Sequence, residues 1–375
     1  MLAYKTIFRP LLFTLDPEVV HDAVAKLIWA YPAKSQISDS VLRSTVAGID
    51  FENPVGMAAG FDKDCSVFQQ IYRFGFGFVE VGTITPEPQE GNSKPRIDRL
   101  VSDSAIINRM GFPNSGLAPA LKRLSRYNGM LGPLGVNIGA NKESVDRIQD
   151  YITCLQGVAK FASYVTINVS SPNTPGLRSL ESGGELKDLL GRLDQSIRSE
   201  DVPVFLKVSP DLDGVSIDET CRAVMESSVA GIIVGNTTTS RPDFLKSHNA
   251  KDLAGGLSGA PLRELSIRSL KAFYQRVGAH LPIISVGGIS TSEDAYLRIR
   301  QGASLLQIYT AFIYEGPSLV PKINMGLAKL LKRDGFSSVA DAVGVDAGDT
   351  ENVSPLAESS INIDSAQPAS LRAYA

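Results

Sequence analysis

Tyr164-Val165-Thr166-Ile167-Asn168-Val169-Ser170-Ser171-Pro172-Asn173-Thr174-Pro175-Gly176 is the stretch whose reading decides the fold. The apolar run Tyr164–Val169 reads as a buried strand. Two prolines and a glycine then forbid its extension, so the strand stops and delivers one hydroxyl, Ser171, and two amides, Asn168 and Asn173, onto a stiffened loop. Polar residues at other strand ends could face the same point, and that convergence marks an enzyme.

Similar apolar runs surround it: Val55–Ala58, Phe78–Gly82, Leu134–Ile138, Val204–Val208, Gly231–Gly235, Pro282–Val286 and Leu305–Tyr309. Helical patterns separate most of them, at Cys65–Phe74, Glu143–Phe161, Leu186–Ile197, Ile217–Ser228, Pro261–Val277, Thr291–Gln301 and Pro317–Lys332. Eight such units over roughly 250 residues predict an α/β fold, a (β/α)8 TIM barrel. Val46–Phe51 and Pro54–Ala58 suggest a short hairpin entering it. The gap from Thr83 to Leu134 is an insertion, and Pro95–Ile107 within it reads as extra strands over the barrel mouth.

The chain ahead of the barrel is a unit of its own. Ile7, Phe8, Leu11, Leu12 and Leu15 form one apolar stripe; Val19, Val20, Ala23, Val24, Leu27 and Ile28 form a second, after Asp16-Pro17. A carboxylate N-cap followed by proline is a helix start. Spacing alone favours two helices packed on the main domain. The sharper reading is an amphipathic pair that enters a membrane surface or frames an apolar channel, with Trp29 at the interface. The expected organisation is a two-helix extension over 1–40, a barrel over 41–344 and a polar, aperiodic, disordered tail over 345–375.

Composition narrows the function. The 375 residues carry a net charge of −3, with 37 basic and 40 acidic side chains, so nothing argues for nucleic acid. Cys65, Cys154 and Cys221 are far apart, as are His21, His248 and His280, which disfavours a disulfide framework or a metal site. No apolar run approaches the ~20 residues of a membrane span. The protein is expected in the cytosol or on a membrane surface.

In such barrels the site lies at the C-terminal ends of the strands. Those ends read Ala59-Gly60-Phe61-Asp62-Lys63, Thr83, Asn137, Asn168 to Asn173, Lys207, Asn236-Thr237-Thr238, Gly287-Gly288 and Tyr309-Thr310, with Asn108 able to join from the insertion. The set holds no histidine, against a Ser-His-Asp hydrolase, and no carboxylate cluster, against a divalent-metal or glycosidase site. Gly287-Gly288 and Tyr309-Thr310 follow strands seven and eight, where barrels of this kind commonly hold a phosphate, and Gly259 offers another close backbone approach. A lone glycine pair more often serves a tight turn.

Asn108, Asn137, Asn168, Asn173 and Asn236 together suit a planar heterocycle with alternating N–H and C=O edges, although each alone is a common turn residue. Lys63 would meet an acidic substituent. Lys207, within an apolar run, must find a partner or lose its proton, which admits neutralising an anionic cofactor ring or forming a Schiff base. Ser171, structural or functional, could move a proton as a weak base on an acidified C–H.

Long motifs run in order along the chain: Ala58–Lys63, Phe76–Thr83, Ile107-Asn108-Arg109-Met110-Gly111-Phe112, Asn168–Gly176, Lys207–Leu212, Asn236-Thr237-Thr238, Gly255–Gly259 and Gln307–Thr310. Through them together, over about residues 4 to 344, the chain resembles the dihydroorotate dehydrogenase family. The resemblance implies an FMN barrel that oxidises dihydroorotate to orotate in pyrimidine synthesis, with Ser171 as the base. Serine there resembles the membrane-associated, quinone-dependent class, and the N-terminal pair is similar to that class's lid. It implies substrate contacts from Lys63, Asn108, Arg109, Met110, Gly111, Phe112, Asn168, Asn173, Asn236 and Thr237. FMN contacts are implied for Ala59, Gly60, Lys63, Thr83, Asn137, Asn168, Lys207, Gly235, Gly259, Gly287, Gly288, Tyr309 and Thr310. His21, Arg99 and Tyr309 are implied along the quinone path, in a monomer held peripherally on the cytoplasmic face of the cell membrane.

Gly235, Ala140, Pro113 and Asp98 depart from the family pattern, Gly235 where a threonine is usual and Asp98 where an apolar residue is usual near the quinone path. The rival readings are the same reaction with a soluble acceptor, a Schiff-base aldolase using Lys207, and a non-catalytic binder of a phosphorylated ligand.

Overall fold

The computed structural model describes residues 4–30, 39–126, 131–174, 176–181, 183–247 and 250–348. His248 and most of the expected tail lie outside them. The barrel is present and closed. Its eight parallel strands run in chain order around the axis: β3 (Val55–Met57), β4 (Phe78–Ile84), β7 (Leu134–Ile138), β8 (Tyr164–Asn168), β9 (Val204–Val208), β10 (Gly231–Val234), β12 (Ile283–Val286) and β13 (Leu305–Ile308).

Each strand alternates its side chains between the axis and the surrounding helices. Val79, Val81, Val165 and Ile167 face outward into the main core with the helices, among them α5 (Arg147–Val158), α6 (Gly183–Ser199), α7 (Gly214–Met225), α8 (Arg263–Val277), α9 (Ser292–Arg300) and α11 (Leu319–Arg333). Phe78, Tyr164, Phe205, Ile233, Ile284 and Leu305 turn inward and close the bottom of the barrel. Their rings find room because the register puts glycine beside each: Gly56 pairs with Phe78, Gly135 with Tyr164 and Gly231 with Phe205. A Cβ on Gly135 would lie 2.2 Å from the Tyr164 ring.

The hairpin plugs this same end. It consists of β1 (Ser44–Val46) and β2 (Ile49–Phe51), with Val46 and Phe51 in the bottom layer. Val55–Met57 is already barrel strand, so Pro54–Ala58 is not part of the hairpin.

At the opposite end the insertion forms β5 (Ile97–Leu100) and β6 (Ala105–Asn108), joined by β11 (Gly256–Gly259) into a three-stranded antiparallel sheet. This third strand was invisible in a glycine-rich segment whose pairing partner lies about 150 residues away. Two short helices also lacked a sequence signal: α4 (Leu117–Leu124), with Pro119 in its first turn, and α10 (Thr310–Glu315), directly continuous with a strand end. The remaining short helix, α3 (Phe68–Ile71), lies within the expected Cys65–Phe74 span.

The N-terminal pair is helical as expected. A π turn over Tyr4–Phe8 leads into α1 (Arg9–Phe13), and α2 (Pro17–Leu27) is capped by the Asp16 carboxylate, which accepts from the backbone N–H groups of Glu18 and Val19. The packed chain continues past residue 344, where the tail was expected to begin. Ala347 is buried, and Asp346 pairs with Arg300.

Gly135→Ala should strand a methyl group inside the Tyr164 ring and destabilise the barrel by about 1–3 kcal/mol, as overpacked cores do. A denaturant midpoint equal to the parent's would contradict this packing.

Candidate active site

Above the aromatic bottom layer the barrel axis becomes polar, and its centre is Glu80, an inward residue of β4 with no exposure. One carboxylate oxygen accepts from Asn137 Nδ2 at 2.8 Å and lies 3.7 Å from Lys207 Nζ. The other accepts from the Tyr164 hydroxyl, the Thr166 hydroxyl and Gln307 Nε2 at 3.0, 3.2 and 2.7 Å. A buried carboxylate is tolerated only when its lone pairs are answered in this way.

The next layer is built on these residues. The Asn137 amide oxygen accepts from the Thr83 hydroxyl at 2.6 Å and from Asn168 Nδ2 at 3.0 Å. The Asn168 oxygen accepts from the Ser170 hydroxyl, whose oxygen accepts from Asn236 Nδ2 at 2.8 Å. Each amide's orientation is therefore set by the one beneath it.

Ser171 is buried but lines the cavity above, and its Oγ accepts a hydrogen bond from the Asn173 backbone N–H at 3.3 Å. Asn173 Nδ2 donates to Asn108 Oδ1 at 3.1 Å, joining the central loop to the insertion. Arg178 holds this loop from behind, donating to the Ser170 carbonyl, to Asp211 and to the Thr237 carbonyl.

One cavity of about 820 Å³ spans the whole region. Its floor is the barrel mouth, with Ala59, Gly60, Lys63, Thr83, Asn168, Ser171, Asn173, Lys207, Gly235, Asn236 and Thr237. Gly259, Gly287, Gly288, Tyr309 and Thr310 form one side, and Asn108, Met110, Gly111 and Phe112 come down from the insertion. Its outer part is lined by the N-terminal pair, through Phe8, Leu12, Phe13, Val20, His21, Val24 and Ile28.

Two expected contacts do not reach it. Asn137 is sealed beneath Thr83 and Asn168. Arg109 is turned away, donating to Asp98 at 2.7 Å and to the Pro95 carbonyl at 2.7 Å. Asp98 likewise faces away from the cavity, on the side of β5 opposite Ile97 and Arg99, so its charge is spent on Arg109 rather than on the apolar path. Pro113 lines the cavity, Ala140 is buried, and a Cβ on Gly235 would meet Pro210 at 3.3 Å, tight but not blocked.

The helix pair is fastened to the insertion by charge. Glu18 of α2 accepts from buried Arg96 at 2.8 Å and 3.1 Å. Arg99 donates to the Phe13 and Leu15 carbonyls, and its guanidinium lies 4.7 Å from the centre of the Phe13 ring. His21 Nε2 lies 2.7 Å from the Phe61 carbonyl, which fixes the proton on that nitrogen. The rings of His21, Phe61 and Tyr309 make successive edge contacts at 5.3 and 6.0 Å, a line from α2 to the end of β13. Burial and the Lys63 charge push His21 below its ordinary value, while burial pushes Lys63 down and Tyr309 up to about 12.

Glu80, Arg178 and Arg96 were not singled out from the sequence. A charged residue inside an apolar strand run was the available signal for Glu80, as it was for Lys207.

The dihydroorotate dehydrogenase family model matches residues 41–331. The chain belongs to the dihydroorotate dehydrogenase family. It is 47% identical to the dihydroorotate dehydrogenase (quinone) of Novosphingobium aromaticivorans, over 90% of this chain and 98% of that one. It is 48% identical to the protein of the same name from Erythrobacter litoralis, with the same coverage. Among solved structures it is similar to the Eimeria tenella dihydroorotate dehydrogenase in complex with ferulenol, at 38% identity and a TM-score of 0.85, covering 88% of this chain and 96% of that one. Membership in the family accounts for the barrel, and the relatives named dihydroorotate dehydrogenase (quinone) match 90% of the chain.

His21 supplies a pH test of the docked pair. Its folded pKa lies below the ordinary 6.5, so the folded chain binds fewer protons. The docking contribution is full above 6.5 and is lost as pH falls through the lowered value. Amide-exchange protection of α2, corrected for intrinsic rates, should fall in that window and should stay flat in His21→Gln. The same fall in both proteins would contradict the assignment.

Proposed function

We propose that this protein oxidises dihydroorotate to orotate in pyrimidine biosynthesis, using FMN in the barrel mouth and passing the electrons to a membrane quinone that enters between the N-terminal helices. The observation that carries this reading is the single cavity, polar at the strand ends and apolar between the helices. A charged substrate and a greasy acceptor need those two environments, and electrons must pass from one to the other.

The residues present fit a flavin phosphate. Gly259, Gly287 and Gly288 have positive φ, and a Cβ on any of them would meet a neighbour at 2.8 Å or less. The Thr237 hydroxyl is buried without a partner among the described residues, and Lys207 Nζ has only Glu80, at 3.7 Å, on its inner side. Asn168 and Lys207 would hold the ring system, Lys207 favouring negative charge on it. The chemistry that a bound flavin supplies is acceptance of a hydride and later release of the electrons.

The remaining work falls to the chain. Lys63 faces the cavity for the substrate carboxylate, while Asn108, Asn173 and Asn236 present amide edges to a planar ring. Ser171 Oγ takes the proton from the carbon adjacent to the one that gives up the hydride. For this the Ser171 hydroxyl must release its own proton to solvent as it gains the new one, and the Asn173 N–H stabilises the negative charge on Oγ as that proton leaves. Burial of the loop excludes competing water.

The apolar outer face of the helix pair, with Ile7, Leu11, Leu15, Val19, Leu27 and Trp29 exposed, supports peripheral docking on the cytoplasmic face of the cell membrane. No helix among the described residues is long and apolar enough to cross a membrane. Every group the site needs comes from one chain, which supports a working monomer. A Schiff base at Lys207 is disfavoured because the ammonium lies beside the Glu80 carboxylate.

Ser171→Ala should slow flavin reduction by dihydroorotate roughly 10²–10⁴-fold, the usual contribution of a positioned base, with substrate affinity little changed. Anaerobic stopped-flow absorbance measures it. An unchanged rate would remove Ser171 from the proton transfer.

A further inference from the structure

Behind Gly287 and Gly288 lies a cation that the reaction does not use. Arg298, on α9, is fully buried, yet no carboxylate pairs with it among the described residues. The acidic side chain that acts on it most strongly, Asp294, is committed to Arg263 at 2.6 Å and to the Ser290 and Thr291 backbone N–H groups. Burial lowers the guanidinium to about 10, so it remains charged at neutral pH.

Its partners are instead the negative ends of dipoles. It donates to the Gly287 carbonyl at 2.7 Å, the Arg263 carbonyl at 3.1 Å, the Ser266 hydroxyl at 2.6 Å and the Ser285 hydroxyl at 3.1 Å. Ser266 Oγ is itself 2.9 Å from the Gly287 carbonyl. The C=O and N–H of one trans peptide point in opposite directions. With the Gly287 carbonyl drawn back toward Arg298, the Gly288 N–H must project to the other side, and Gly288 lines the cavity. The peptide lies flat on the first turn of α8, where a Cβ on Gly288 would sit 2.5 Å from Arg263 Cα.

We propose that Arg298 is the positioning residue of the phosphate cradle, aiming the Gly288 N–H at the phosphate from behind and supplying the buried positive charge that a phosphate dianion balances. The inference rests on the FMN reading above and adds to it a residue that never touches the ligand. A buried charge facing only dipoles is costly, and an anion bound in front of the same peptide offsets that cost.

The test is the affinity of the full-length, flavin-stripped protein for FMN and for riboflavin, which lacks the phosphate, followed by flavin fluorescence. Arg298→Met should weaken FMN binding roughly tenfold to a hundredfold, the range for losing a charged hydrogen-bonding partner, and leave riboflavin binding unchanged. Arg298→Lys, which keeps the charge, should recover part of the loss. Should Arg298→Met fail to fold, Ser266→Ala takes its place, with a smaller loss confined to FMN. Equal loss for both ligands would make Arg298 a structural rivet and overturn the proposal, as would an unchanged FMN affinity. A parent protein that binds neither flavin would instead overturn the cofactor reading itself.

Discussion

A carboxylate on the axis of a closed barrel has no water to turn to, and the structure depends on how Glu80 is answered. Its hydrogen bonds tie together β4, β7, β8 and β13, and its charge faces Lys207 of β9. Nothing apolar could hold Asn137 and Lys207 in place at this depth. The amide ladder from Asn137 through Asn168 and Ser170 to Asn236 follows from it, so the shape of the active mouth is set from below. A buried polar network of this kind is worth having only when every member is satisfied. Among its described members, Gln307 leaves its amide oxygen without a partner, and Gln307 lines the cavity.

The barrel was legible because each strand is a compact apolar run bounded by turn residues, and the register obeys simple space rules. Gly56, Gly135 and Gly231 sit where neighbouring rings need room. What could not be read was pairing at long range. Gly256–Gly259 carries no strand pattern of its own and becomes one only against Ala105–Asn108. Thr310–Glu315 likewise has too little length to announce itself as a helix.

The site was legible for a different reason. Polar residues at the end of an apolar strand have one destination in this fold, and most of those expected there line one cavity. Arg109 and Asp98 escaped that logic because Asp98 lies on β5 and Arg109 directly follows β6, where alternate residues face opposite sides and spacing alone does not say which. Arg178 and Arg298 act from behind the strand-end loops, holding carbonyls rather than ligand, and a sequence shows no mark of such support. The helix pair was legible as two apolar stripes. That it frames one end of the same cavity, held by Glu18–Arg96 and by His21 on the Phe61 carbonyl, is a tertiary fact.

The continuity of that cavity is the centre of the account: one polar floor at the strand ends, one apolar entrance between the helices, and the proposed flavin between them. The most direct measurement is an anaerobic absorbance spectrum of the purified full-length protein, taken alone, after dihydroorotate and after a quinone. The account predicts a flavin band that bleaches with dihydroorotate and returns with the quinone. A folded protein with no flavin band even after FMN is added, or a band that dihydroorotate leaves untouched, would contradict it.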